Sequence, residues 1–180
     1  GQLINLERPQ TSLQQADDLV TSAQLWQQIQ ERSLRELEKH HRIFPLRVGL
    51  PKEELKSRLK DLTQSSPRLF NASFRRMVTS GLIIESGPLV HLPEHRIQFT
   101  PQQEARVQGL LKRIEAAPFS PPSVKECQAE VGEDVLAALV DLGRLVQVAS
   151  EVIFRREDLD RMLSELRQLI QQNGPVTVAQ

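Results

Sequence analysis

The chain has a single cysteine among its 180 residues, Cys127, which rules out an internal disulfide and a cysteine-based zinc site. It contains no run of about 18 apolar residues, so no segment reads as a spanning helix. It also lacks a GxxxxGK[ST] phosphate loop, a GxSxG nucleophile elbow, an HExxH zinc helix and a GxGxxG dinucleotide turn. Chemistry that depends on those devices is therefore excluded. No charged-apolar-small leader is read ahead of the first structured segment, and with the lone thiol this sets the expectation of a reducing, cytoplasmic compartment and no membrane partner. Aromatic residues make up only 4%, but 39% of the chain is apolar, enough for folded modules. The length fits one ordinary domain or two to three small ones.

Net charge is absent too, with 23 basic residues against 23 acidic ones. The balance hides a segregation. Residues 39–76 hold ten Lys and Arg against three acids, an excess of seven, and the rest of the chain offsets it with 13 against 20. A local basic block is the footprint of a surface that meets phosphates, or equally of a solvated face.

The order of elements repeats. Thr100-Pro101-Gln102-Gln103 is a capping box with proline at the first helical position, and Val107, Leu110, Leu111 and Ile114 follow as one helical stripe. Pro118 breaks that helix. Ser123-Val124-Lys125-Glu126 opens a second, short helix that ends near Gly132. A third carries Val135, Leu136, Leu139, Val140 and Leu142 and stops at Gly143, with Ala137, Ala138 and Asp141 expected outward. Leu145–Val148 and Val152–Phe154 then read as a hairpin.

The preceding stretch has the same plan. A helix from about Ser22 to His41 carries Leu25, Trp26, Ile29 and Leu37, and an extended connector follows at 45–50. Pro51–Leu59 forms a short helix, and Ser66-Pro67 opens a third with Phe70, Phe74, Met77 and Val78 inward, closed by Gly81. Leu82–Ile84 and Leu89–Leu92 are expected to form the hairpin. Gly81-Leu82-Ile83-Ile84 is similar to Gly143-Arg144-Leu145-Val146, and Gly1-Gln2-Leu3-Ile4 is similar to both. The expected fold is mainly α with short β-hairpins, a tandem of winged helices. Its parts are 1–13, the wing of a preceding unit; 14–99 and 100–156, two complete winged helices; and 157–180, the first helix and connector of a following unit.

From His41 onward a family resemblance joins the pattern. Phe44-Pro45-Leu46-Arg47-Val48-Gly49-Leu50-Pro51, running into Glu53-Glu54-Leu55-Lys56-Ser57-Arg58, resembles the C-terminal winged-helix region of the bacterial selenocysteine-specific translation elongation factor (SelB). Phe99-Thr100-Pro101 and Pro121-Pro122-Ser123-Val124-Lys125-Glu126 agree with it in order and spacing. The resemblance covers nearly the whole chain and implies the second and third of four tandem winged helices. It further implies an RNA-binding role in translation, coupling an mRNA hairpin (the SECIS element) to delivery of selenocysteyl-tRNA at UGA codons on the ribosome. GTP and Mg would belong to an N-terminal GTPase half of the parent, so no cofactor is expected in this chain, nor catalysis. A monomer is expected.

The candidate nucleic-acid contacts are Arg68, Asn71 and Arg75 on the outer face of the third helix, continued by Thr79, together with Arg47, Lys52, Lys56 and Arg76 from the basic block. A solvated or protein-packed helix face explains the same letters. The corresponding helix of the second unit begins Glu133-Asp134, which repels phosphate and reads as a spacer. Arg155 and Arg156 are expected to pair with Glu157 and Asp158. Ser123 and Lys125 read as a cap rather than a nucleophile pair, and Pro93 argues against a helix presenting His91 and His95 to a metal. Cys127 and Trp26 read as packing residues. Two rival readings stand beside this one: a tandem winged-helix regulator of duplex DNA, and a protein-docking array.

Overall fold

A computed structural model describes residues 2–7 and 19–173. The chain divides into two compact units, 1–97 and 98–180. It is mainly helical, with small antiparallel sheets, and the winged-helix order of elements is present.

Unit 1 opens with β1 (Leu3–Asn5) paired antiparallel to β2 (Val20–Ser22), which runs straight into α1 (Ala23–Ile43). The second strand of the first hairpin thus lies at 20–22 rather than inside 1–13, and residues 8–13 fall outside the described ones. Ser22 caps α1, its hydroxyl accepting from the Leu25 N–H at 3.1 Å, and His40, His41 and Arg42 fill its last turn. After β3 (Leu50–Pro51) come α2 (Lys52–Arg58) and α3 (Pro67–Thr79), then β4 (Ile84–Ser86) and β5 (Leu89–His91). Ser66 accepts from the Leu69 N–H and Pro67 supplies a preset φ, so α3 starts where the sequence places it.

The wing of this unit has three strands in the order β3-β5-β4, with Leu50 opposite Val90. Only the end of the connector, Leu50 with Pro51, becomes a strand; residues 45–48, expected extended, turn instead, with the Arg47 N–H donating to the Phe44 carbonyl at 3.1 Å. The β4 strand begins at Ile84, not Leu82, because the Leu82 N–H is already committed to the Met77 carbonyl at 3.0 Å. That bond, with Gly81 N–H to Val78 at 3.0 Å and Gly81 at φ 71°, forms a Schellman closure of α3. Inside, Trp26, Leu37, Leu50, Leu55, Phe70, Phe74, Met77 and Val90 make one core, with Leu6 of the first hairpin among them.

Unit 2 follows the same order. It runs α4 (Pro101–Ala116), α5 (Val124–Val131), α6 (Glu133–Asp141), β6 (Leu145–Ala149), β7 (Val152–Arg155) and α7 (Arg156–Asn173). Both capping boxes form: Thr100 with Gln103, and Ser123 with Glu126. The repeat extends to individual hydrogen bonds. Gly143 and Arg144 donate to Val140 and Leu139, both at 2.9 Å, as Gly81 and Leu82 do to Val78 and Met77. The first helical N–H after the connector reaches the turn of the hairpin in both units: Lys52 to Pro88 at 2.9 Å and Val124 to Glu151 at 3.3 Å.

Two expectations on α6 are corrected. Ala138, expected outward, is fully buried, since it lies three residues after Val135 on the same stripe. Leu142, expected inward, lies past the last helical residue and is 46% exposed. The apolar face of α7 is present but open, with Leu163, Leu166, Leu169 and Ile170 all exposed. The connector expected at 174–178 lies outside the described residues. Among the described residues, no helix is long and apolar enough to cross a membrane.

Candidate nucleic-acid interface

The outer face of α3 is built by helical spacing. Phe70, Phe74 and Met77 point into the core, and Arg68, Asn71, Arg75 and Thr79, on the opposite arc, are exposed. Burying two phenylalanines anchors the helix, with each large-to-small change in such a core costing about 3–5 kcal/mol. Arg75 has no ion pair among the described residues, so its guanidinium is presented to solvent. Arg68 lies 3.8 Å from Glu7, which reduces but does not cancel its field. Beside Arg75 a surface crevice of about 380 Å³ is lined by Leu6, Glu7, Ala72, Arg76 and Thr79.

The remaining candidates sit elsewhere. Arg76 is one step of about 100° round the helix from Arg75. It turns back over the Trp26 ring, 5.0 Å from its centroid, and donates to the Asn5 carbonyl. It acts as a strut between α3 and the first hairpin and is not part of the outward face. Lys52 lies 4.1 Å from the Phe74 ring centroid and pairs with Glu85 at 2.7 Å. Lys56 pairs with Glu53 at 3.2 Å along α2. Arg47 is exposed on the connector, where its carbonyl accepts from His95 Nε2 at 2.8 Å. The structure thus brings Arg68, Asn71 and Arg75 together on one face, turns Arg76 inward beside Arg75, and places Arg47, Lys52 and Lys56 on other elements.

Sequence reasoning missed the histidine cluster that supports the connector. His41 and His95 stack, with centroids 3.6 Å apart and planes at 12°, and His41 Nε2 accepts from the Leu92 N–H at 3.2 Å. Burial and the neighbouring histidines hold His41 down to about 4, so it is a neutral acceptor at ordinary pH. No periodicity signals a contact between residues so far apart in sequence. Among the described residues, no group of three or more His, Cys, Asp or Glu is arranged to hold a metal.

In unit 2 the equivalent helix presents Glu133, Asp134 and Asp141 outward. Ser123 is spent on its cap and Lys125 lies 3.7 Å from Glu151. Burial pushes the Cys127 thiol up, away from thiolate reactivity. Arg155 holds Asp158 through two hydrogen bonds, at 2.7 and 3.0 Å, as the sequence suggested.

A search of curated proteins returned no match to the chain. Residues 34–92, about a third of the chain, match the family described as elongation factor SelB, winged helix. The match spans the second half of α1, the connector, α2, α3 and the wing of unit 1. Over that segment the chain is similar to the second winged helix of SelB, and its architecture is consistent with the C-terminal winged-helix region of that elongation factor.

Proposed function

We propose that the chain is part of the winged-helix arm of a selenocysteine-specific elongation factor, and that it works by binding RNA, without catalysis. The carrying observation is the exposed Arg68-Asn71-Arg75 face of α3 within the segment that matches the SelB winged helix. Arginines on an outward helix face contact phosphates and RNA shape, with little reading of base edges. In this reading unit 1 touches RNA of the mRNA hairpin or the ribosome, while unit 2, with its acidic α6, is a spacer. The arm couples the hairpin to delivery of selenocysteyl-tRNA at UGA codons in the cytoplasm. GTP and Mg are handled by a GTPase portion of the parent protein.

A DNA regulator would need base-reading side chains aimed into a major groove, and the acidic α6 disfavours it. Binding should be titrated against a SECIS-type hairpin RNA, a duplex DNA of equal length and ribosomes, each at several salt concentrations. Preference for the hairpin or the ribosome with a steep salt slope supports the proposal. Equal or better binding of DNA, or no nucleic-acid affinity at low salt, defeats it.

A further inference from the structure

A second feature of unit 1 lies on α1 and the connector and is separate from the α3 face. A surface crevice of about 460 Å³ is bounded on its polar side by Arg32, Glu36, Lys39 and Arg58, and on the other by His40, Ile43 and Phe44. Glu36 is its one acid, and Glu36 is saturated: Arg32 and Arg58 each reach it at 3.0 Å. Arg58 is also engaged by Glu54. Lys39 has no ion pair among the described residues, so the crevice is left cationic, with its charge concentrated on one long, exposed side chain.

The apolar wall has an unusual degree of exposure for such residues, with Ile43 54% and Phe44 48% accessible. Yet Phe44 is held in place. Its N–H donates to the His40 carbonyl at 2.8 Å, its own carbonyl accepts from the Arg47 N–H at 3.1 Å, and its ring leans on His40 at 5.1 Å. His40 is buried and its imidazole is held below its usual value by that burial, so the ring behind Phe44 is neutral. An open aromatic face on a hydrogen-bonded backbone, beside a cation, is the arrangement that takes an unpaired base and its phosphate. An amphipathic peptide would need an apolar groove several residues long, which one phenylalanine and one isoleucine do not provide.

We propose that this crevice binds a single unpaired nucleotide of an RNA strand, with the base stacked on Phe44 and its phosphate paired with Lys39. The site stands independently of the α3 face. The test uses the full chain and an RNA hairpin carrying 2-aminopurine at one unpaired loop position. Wild-type protein is expected to quench the fluorescence of the bound RNA. Phe44→Leu, which keeps an apolar side chain at an exposed position, should abolish the quenching and weaken binding about tenfold. Lys39→Gln should weaken binding several-fold and keep the quenching at saturation. Arg75→Ala reports on the α3 face alone: it should lower affinity without changing the quenching at saturation, so loss of either site is read separately. Undiminished quenching in Phe44→Leu, no quenching by wild type at any loop position, or displacement of the RNA by an acidic peptide at equal concentration would overturn the proposal.

Discussion

His41 and His95, 54 positions apart, stack face to face at 3.6 Å and lock the end of α1 to the segment that leaves the wing. Burial, and after it the neighbouring histidines, disfavours the charged form of His41 in this stack. Its ordinary value of 6.5 is lowered to about 4 in the fold, so the folded chain binds fewer protons than the unfolded one below neutrality. The stabilising contribution is present in full above pH 6.5 and is lost as pH falls toward 4, by roughly 2–3 kcal/mol. His40, lowered by its own burial, acts in the same direction. Denaturant midpoints between pH 7 and pH 4 should show this decline. His41→Gln, which keeps an acceptor for the Leu92 N–H, should flatten it.

Gly49 is required by space, not by its backbone angle. A Cβ there would meet the Val90 carbonyl oxygen at 2.5 Å, which is backbone of the central wing strand and cannot swing aside. Gly49→Ala should cost about 1–3 kcal/mol, as overpacking does, and loosen the β3–β5 pairing. Gly81 makes the opposite case, with open space around its Cβ position but φ at 71°. Gly81→Ala should cost only about 1 kcal/mol. Amide exchange on Leu50 and Val90 distinguishes the two: fast exchange is expected in Gly49→Ala alone.

Asp158 is 2% exposed and is held by the two-pronged Arg155, which also pairs with Glu115 at 3.2 Å. The Arg155 hydrogen bonds keep its carboxyl below the usual value, so its contribution is present above the ordinary carboxylate range and lost as pH falls through the folded value. Arg155→Met leaves the buried Asp158 carboxylate with only the exposed Arg161, 3.8 Å away, and should destabilise unit 2 by up to about 3 kcal/mol. Replacing both residues by an apolar pair should recover much of that loss. A double-mutant cycle by thermal unfolding checks this, and additive losses would contradict it.

Much of this architecture was legible because its signals are local. Ser66-Pro67, Thr100-Pro101 and Ser123–Glu126 are satisfied by bonds three residues away, and the helices close at Gly81 and Gly143 through bonds that the glycine and its successor send three and five residues back. The outward placement of Arg68, Asn71 and Arg75 follows from the same spacing that buries Phe70 and Phe74. What sequence could not show depends on contacts between distant segments. Arg76 is adjacent to Arg75 and equally basic, but Trp26 and Asn5 draw it inward. The third wing strand needs Val90 to meet Leu50, and the first hairpin closes only at Val20–Ser22. Leu142 turns outward because α6 ends one residue before the apolar pattern does, and Ala138 turns inward because it shares the Val135 stripe, which its small side chain does not signal.

Phosphate contact by the α3 face of unit 1 is tested most directly by the salt dependence of hairpin binding. The slope of log affinity against log salt should shrink by about one for Arg75→Ala and by more for Arg68→Ala combined with it, with helix content unchanged. A double variant that keeps the wild-type slope and affinity would place the RNA contact elsewhere and contradict the account.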